Sequence, residues 1–290
     1  MSETQPIEKL KEVVVIYHAN CRDGFGSAYA AWTIFGDKAS YIPRKTQEAI
    51  PEGLINKEIY ILDYSYDKET LTKLKEINKK VVVIDHHETA KEAVESFDEN
   101  IFSNDHSGAV LTWQYFHSDE PVPRLLLYIE DHDLWKMELE HTREFGAALG
   151  EYDRDFATWH QLNKNLEDRL HFNKFIEHGE IIARFEESLV DKMLTFREKV
   201  IFEGQEIYAL NAERIYRSIL GNKLSALNKS EGKMAMAIVY YRYDGMVHCS
   251  LRSQGEVDVS TIATKYGGGG HKNAASIRVA NWSDLPFKFL

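Results

Sequence analysis

The chain has 290 residues, of which 43% are hydrophobic and 12% aromatic. This content can bury a sizeable core and excludes a largely disordered chain. The formal net charge of −11, from 35 Lys and Arg against 46 Asp and Glu, argues against a protein that wraps long duplexes, because such binding needs many cationic contacts to phosphate. A small anionic substrate held by a few local cations or metal ions is still compatible with it.

The first half of the chain alternates short β-branched runs with helical patterns. Strands are predicted at 13–17, 58–62 and 81–84, with a short extended piece at 40–42. Helices are predicted at 24–35 and 68–78. The strands are apolar without alternation, which favours a parallel sheet covered by helices on both faces.

The second half is first helical and then mixed. Helices are predicted at 109–116, 123–131 and 169–197, and a further one at 259–265; strands are predicted at 206–210, 235–241 and 247–251. We therefore predict a bilobed α/β protein with an N-terminal parallel-sheet domain at 1–185. A helical connector at 186–205 would lead to a smaller C-terminal α/β domain with a mixed sheet at 206–290.

Metal-ligating residue types follow three of the predicted strands and one predicted helix. His18 and Asp23 follow the first strand, Asp63 follows the second, Asp85-His86-His87 follow the third, and an acidic cluster containing Asp131 follows 125–129. Any one of these residues alone is well explained as a helix cap or turn. Together, at the carboxyl edge of one parallel sheet, they predict a metal site. Mixed oxygen and nitrogen ligands suit Mn²⁺, Fe²⁺ or Zn²⁺, and Mg²⁺ is also compatible.

A glycine run near the C-terminus marks a second candidate site. Gly267–Gly270 precede His271, and Arg252 follows the last predicted strand. Glycines let a backbone approach a ligand closely and expose its N–H groups, which suits phosphate or another oxyanion. The alternative is a flexible hinge. A Walker loop is excluded because no GK[ST] follows the run.

In this order the motifs resemble the DHH phosphoesterase superfamily with its C-terminal DHH-associated domain, over about residues 13–280. The resemblance implies that Asp63 bridges two metal ions and that His18, Asp23, His86 and Asp131 complete the ligands. It implies catalytic roles for Asp63, for His87, which faces the substrate phosphate, and for Asp85, which supports His86. One or two Mn²⁺ ions are implied, with Mg²⁺ or another divalent ion left open.

The same resemblance implies that the C-terminal domain binds the substrate's phosphate or terminal nucleotide. The residues concerned are Arg252, Gly268, Gly269, Gly270 and His271, together with His87 of the first domain. One position departs from the family pattern, since Cys21 stands where the first motif usually carries an aspartate. The first metal could then be bound weakly, recruit Cys21 or Asn20, or be absent.

The predicted activity is hydrolysis of small phosphoesters by attack of a metal-activated water on phosphorus. Short single-stranded oligonucleotides and nucleoside bisphosphates are the preferred substrates; cyclic or linear dinucleotides and polyphosphate are the alternatives. A nucleotide-binding sensor without catalysis is the alternative of another class. A cytoplasmic location is expected because the first twelve residues lack a signal-peptide pattern and two cysteines make no disulfide framework. No membrane partner is expected, and a homodimer is left open.

Overall fold

The computed structural model describes residues 10–45 and 48–290, and it divides into two compact units, one ending at Ala183 and the other beginning at Arg184. The segment 1–9, which contributes to the signal-peptide prediction, lies outside the described residues. Within the described ranges, every helix is too short or too polar to span a bilayer.

The N-terminal unit is built on a five-stranded parallel sheet with the strand order β2-β1-β3-β4-β5. The strands are β1 (Val13–His18), β2 (Ala39–Arg44), β3 (Glu58–Leu62), β4 (Lys80–Asp85) and β5 (Asn100–Phe102). In the register of the three central strands, Tyr17 pairs with Leu62, which in turn pairs with Ile84. The carboxyl ends of β1, β3 and β4 therefore lie side by side, as the sequence predicts.

Helices cover both faces of this sheet. They are α1 (Arg22–Phe35), α2 (Lys68–Ile77), α3 (Lys91–Glu95) and α4 (Gly108–Phe116). Ile16 of β1 packs in one cluster with Leu74 of α2, whereas the neighbouring Val15 packs in another with Ala28 of α1 and Leu111 of α4. Successive strand residues point to opposite faces, so a strand with apolar residues on both needs this double cover.

Four further helices follow: α5 (Arg124–Asp133), α6 (Thr142–Leu149), α7 (Phe156–Glu167) and α8 (Arg169–Leu194). Helices α6 and α7 are additional to the predicted helices. Helix α6 is short and contains Gly146, which has low helix propensity. Helix α7 is capped by Asp155, whose side chain accepts a hydrogen bond from the N–H of Thr158, and it buries Trp159.

The C-terminal unit carries a seven-stranded sheet with the order β10-β11-β9-β8-β7-β6-β12. Its strands are β6 (Glu198–Phe202), β7 (Gln205–Asn211), β8 (Met236–Tyr243), β9 (Met246–Ser253), β10 (Gly269–His271), β11 (Ala274–Val279) and β12 (Lys288–Phe289). Strands β7 and β8 pair in parallel and the other pairs are antiparallel, so the sheet is mixed. Its helices are α9 (Arg217–Ser230) and α10 (Val259–Lys265). The predicted fold class is confirmed.

The structure departs from the predicted connector at 186–205. Helix α8 ends at Leu194 and the chain enters β6 at Glu198. Glu203 and Gly204, both at positive φ, form the two-residue turn between β6 and β7. Positive φ at both central positions matches the twist of a hairpin. The charges just before β6 resemble a continued solvent-facing helix, which is why the sequence pattern placed the helix end too late.

Candidate metal centre

Asp63 lies at the middle of the polar cluster at the carboxyl edge of the parallel sheet. It follows β3, and its N–H donates to the carbonyl of Ile84 at 2.8 Å. Its φ of +51° is in the left-handed region, which is unfavourable for a residue with a Cβ. Strained backbone of this kind is found at functional sites, where the surrounding structure holds it.

The Asp63 carboxylate is 1% exposed and lies between two imidazoles. Its Oδ1 is 3.1 Å from Nε2 of His86 and its Oδ2 is 3.5 Å from Nδ1 of His18. Burial acts to raise the pKa of Asp63, but the adjacent His18, His86 and His87 lower it below its ordinary value. In the part of the chain that the structure describes, neither oxygen accepts a hydrogen bond, and Nδ1 of His18 and Nε2 of His86 are likewise buried without one.

Two more carboxylates approach His86. Its Nε2 is 3.6 Å from Oδ2 of Asp23 and 3.6 Å from Oδ2 of Asp133. Burial, together with the charge of Asp63, raises the pKa of Asp133 to about 6 and that of Asp23 well above its ordinary value. Such shifts mark a site with more negative charge than its surroundings can stabilise.

A divalent cation fits this cluster. Buried, unpartnered carboxylate and imidazole atoms are costly unless a cation binds them, and oxygen with nitrogen is a donor set for divalent metals. Three overlapping groups bring their ligand atoms within 4.8 Å of one another: His18 with Cys21 and Asp63; Asp63 with His86 and His87; and Asp23 with His86 and Asp133. Asp63 directs one oxygen toward His18 and the other toward His86, so it belongs to two of these groups.

The N-terminus of α4 holds Asp23 in place. The Asp23 carboxylate accepts hydrogen bonds from the N–H groups of Gly108 at 2.7 Å and Ala109 at 3.0 Å, which are otherwise orphan donors of that helix. A Cβ at Gly108 would lie 2.6 Å from Cβ of Asp63 and 3.0 Å from Oδ2 of Asp23. Glycine at 108 is therefore what lets α4 approach the cluster.

Asp85 supports the two histidines that follow it. Its Oδ1 accepts from Nδ1 of His87 at 2.7 Å and from the N–H groups of His86 at 2.8 Å and His87 at 3.2 Å. Burial lowers the pKa of His87, but the hydrogen bond with Asp85 and the charge of Asp63 raise it more, to about 9. His87 is thus a cation at neutral pH, directed at the cluster by Asp85.

The structure does not bring Asp131 to the cluster, which corrects the predicted ligand. Its carboxylate accepts from the N–H groups of Glu138 at 2.9 Å and Leu139 at 3.2 Å and from the hydroxyl of Thr142. Asp133, two residues further along α5, approaches His86 instead. The overlooked signal was the row of Leu125, Ile129 and Asp133, spaced four apart on one face of the helix.

Arg252 and His271, the predicted substrate ligands, share one face of the C-terminal sheet. Both pair with Ala274 of β11, Arg252 from β9 and His271 from β10, so their side chains stand in one row. The guanidinium donates to Oγ of Ser218 at 3.0 Å and Oγ of Ser250 at 2.9 Å. Burial and Arg217 lower the pKa of Arg252 to about 10, so it stays cationic at neutral pH.

The glycine run forms the turn into a hairpin and part of its edge strand. Gly269–His271 are β10, paired antiparallel with β11. A Cβ at Gly268 would lie 2.1 Å from the carbonyl oxygen of Ser276, and one at Gly270 would lie 2.4 Å from that of Ala274. These two glycines therefore permit close backbone packing, a requirement that exists whether or not an anion binds there.

The chain is similar in sequence and in fold to known proteins. The DHHA1 domain family matches residues 205–287. The uncharacterized protein R106 of Acanthamoeba polyphaga mimivirus is 31% identical over 299 aligned positions, which cover 95% of this chain and 69% of R106. The DHH domain of a member of a family of ribosomal proteins shares the fold, with a TM-score of 0.56, 14% identity and coverage of 96% of this chain and 83% of that one.

The chain belongs to the DHH phosphoesterase superfamily.

A pGpG-specific phosphodiesterase of Vibrio cholerae has the same fold, with a TM-score of 0.52, 12% identity and coverage of 93% of this chain and 94% of that one. The DHH superfamily comprises phosphoesterase hydrolases that depend on divalent metals, so the prediction of an enzyme of this class is confirmed. Of the predicted ligands, the structure gathers His18, Asp23, Asp63 and His86. The roles of individual residues stay predictions.

Proposed function

We propose that this protein hydrolyses small phosphoesters in the presence of Mn²⁺, with short oligonucleotides and nucleoside bisphosphates as its preferred substrates. One observation carries the proposal: the fully buried Asp63 carboxylate directs its two oxygens toward His18 and His86. A buried anion without a hydrogen-bond donor is what a cation-binding position requires.

His18, Asp23, Asp63, His86 and Asp133 are the residues that would hold the ions. Divalent ions bound there supply charge stabilisation and activate water for attack on phosphorus. The N–H groups of Gly108 and Ala109 at the start of α4 would hold the Asp23 carboxylate in its orientation toward the ions.

His87 would act on the substrate itself. Its ring is held by Asp85 at 2.7 Å and is protonated at neutral pH, with a pKa of about 9. A protonated imidazole next to the reacting phosphate offsets the charge that grows on the non-bridging oxygens. It can also donate its proton to the departing oxygen, leaving neutral imidazole that solvent reprotonates.

The charge distribution supports a small substrate. A chain of net charge −11 has little attraction for long polyanions, whereas Arg252 offers a local, half-buried guanidinium suited to one phosphate. His271 stands in the same row of the sheet, two strand spacings from Arg252. We propose that this row binds the terminal phosphate or nucleotide.

A substrate panel tests the proposal. Purified protein is assayed with Mn²⁺, Mg²⁺ or Zn²⁺ on oligonucleotides of two to five units, linear and cyclic dinucleotides including pGpG, nucleoside bisphosphates and polyphosphate. We expect turnover that chelator abolishes and that Asp63→Asn lowers about 100-fold or more. Asp37→Asn, an exposed acidic residue outside the cluster, is the matched control. Hydrolysis that survives chelation and Asp63→Asn would contradict the proposal, and a failure to cleave any compound would favour a binding protein.

A further inference from the structure

Cys21 belongs to the ligand group that contains His18 and Asp63. Its Sγ, a ring nitrogen of His18 and a carboxylate oxygen of Asp63 all lie within 4.8 Å of one another. Ligand atoms bound tetrahedrally to one ion at about 2.0 to 2.3 Å stand about 3.3 to 3.8 Å apart. Side-chain shifts of about 1 Å or less would therefore bring all three onto a single ion.

The partners of Cys21 point to a ligand independently of the thiol. Nδ1 of His18 and both oxygens of Asp63 are buried, and within residues 10–45 and 48–290 none of these three atoms has a hydrogen-bond partner. Asp63 is almost completely buried and directs Oδ2 toward His18. The thiol thus lies beside ligand atoms that are buried and, in the described part of the chain, make no hydrogen bond.

The backbone holds Cys21 in this position. It is the N-cap of α1, with extended φ and ψ of −109° and 145°. A Cβ at Gly24, in the first turn of that helix, would lie 2.2 Å from the carbonyl oxygen of His18. Glycine at 24 is what allows the start of α1 to pack on the end of β1, and this packing places Cys21 next to His18.

We infer that Cys21 ligates a metal ion through its sulfur, together with His18 and Asp63, and that this half of the centre selects a thiophilic divalent ion such as Zn²⁺. The inference rests on the metal centre of the proposed function and adds its selectivity. Thiolate with imidazole suits Zn²⁺, whereas Mn²⁺ and Mg²⁺ prefer oxygen donors. Asp23, His86 and Asp133 form the oxygen-rich half, so the two positions differ in the ions that they prefer.

The first test uses Co²⁺ as a spectroscopic substitute for Zn²⁺. The metal-free protein is titrated with Co²⁺, and the near-ultraviolet sulfur-to-cobalt charge-transfer band is recorded alongside bound metal measured after dialysis. We expect the band in the wild-type protein and in Cys249→Ala, whose buried thiol lies in the core of the C-terminal sheet. We expect its loss in Cys21→Asp, with the Zn²⁺ over Mn²⁺ affinity ratio lowered about 10-fold or more.

A second measurement does not depend on the folding of a Cys21 variant. X-ray absorption at the zinc edge of Zn²⁺-loaded Cys249→Ala protein should show sulfur scattering at about 2.3 Å. Metal that binds without the cobalt band and without zinc–sulfur scattering overturns the inference and leaves the proposed metal centre standing. A protein that binds none of Co²⁺, Zn²⁺ and Mn²⁺ overturns both, so the two failures are distinguishable.

Discussion

Replacing Asp131 or Asp133 of α5 by asparagine should change the free energy of unfolding in opposite directions. Asp133→Asn removes one negative charge from a cluster that already holds Asp23 and Asp63. Asp131→Asn instead weakens the acceptor that fixes the loop at Glu138 and Leu139. The family resemblance implies Asp131 as the ligand whereas the structure places Asp133 beside His86, so this pair of variants tests the structural assignment directly.

The magnitude for Asp133 follows from its pKa. Burial and the charge of Asp63 raise that pKa from 3.8 to about 6, and a difference of about 2 pH units between the folded and unfolded protein corresponds to about 3 kcal/mol. The Asp133 side chain is 28% exposed, which reduces the destabilisation to roughly 1–2 kcal/mol. Because its folded pKa is raised to about 6, ionisation of Asp133 destabilises the metal-free protein progressively from about pH 4 to pH 6 and fully above that range.

For Asp131 the expected effect has the opposite sign. Buried hydrogen bonds to a charged acceptor contribute roughly 1.5–3 kcal/mol. Asparagine keeps one acceptor oxygen but loses the charge and the second acceptor. We therefore expect Asp131→Asn to destabilise the protein at pH 5 and at pH 8 alike.

Thermal unfolding of the full chain is the assay, in chelator and in Mn²⁺. At roughly 2–4 °C per kcal/mol, Asp133→Asn should raise the melting temperature in chelator by roughly 2–8 °C at pH 8, with a much smaller change at pH 4. Saturating Mn²⁺, at 100-fold above Kd, should stabilise the wild-type protein by about 2.7 kcal/mol. This stabilisation by Mn²⁺ should shrink in Asp133→Asn and persist in Asp131→Asn. The melting temperature of Asp131→Asn in chelator should lie roughly 3–12 °C below that of the wild-type protein. Destabilisation by Asp133→Asn in chelator, with loss of the Mn²⁺ effect in Asp131→Asn instead, would contradict the assignment of Asp133 to the cluster.

Three further predictions concern the site and the C-terminal sheet. Gly108→Ala should abolish Mn²⁺-dependent stabilisation, measured by calorimetry, because the added Cβ would lie 2.6 Å from Cβ of Asp63. An unchanged stabilisation by Mn²⁺ would contradict the close approach of α4 to the cluster. Arg252→Ala should raise KM for the preferred nucleotide about 10- to 100-fold and leave KM for a generic chromogenic ester near the wild-type value. In the control variant Arg278→Ala, KM for both substrates should stay near wild type. An equal rise of KM for both substrates in Arg252→Ala would show that Arg252 does not set selectivity. His87 is protonated below its pKa of about 9, so the activity should fall as the pH rises through that value. Asp85→Asn should move this fall in activity about 1–2 pH units lower. An alkaline fall at the same pH in Asp85→Asn and wild type would exclude His87 as its source.

The sheet of the N-terminal unit was predictable because its strands are continuous β-branched runs bounded by polar residues. The meeting of His18, Asp63 and His86 followed from topology alone, since parallel strands place their carboxyl ends at one edge. What sequence could not decide was rotation about a helix axis. Residues 131 and 133 differ by about 200° around α5, and the packing of that helix determines which carboxylate reaches His86.

Local hydrogen bonds explain the other misjudged features. The strand β6 depends on a hairpin turn at positive φ, and its first residues are charged, so its pattern alone resembles the end of a helix. The glycine run suggested a free anion-binding loop, whereas Gly268 and Gly270 serve close packing against β11. In both cases the partner strand supplies the information that the local pattern lacks.

We expect His18, Asp63 and His86, together with Asp23 and Asp133, to hold divalent metal at the carboxyl edge of the sheet. Anomalous diffraction from crystals grown in Mn²⁺ measures this directly. We expect at least one manganese peak within bonding distance of the Asp63 carboxylate. Crystals that show manganese only at other positions, or an ion ligated by Asp131 in place of Asp133, would contradict it.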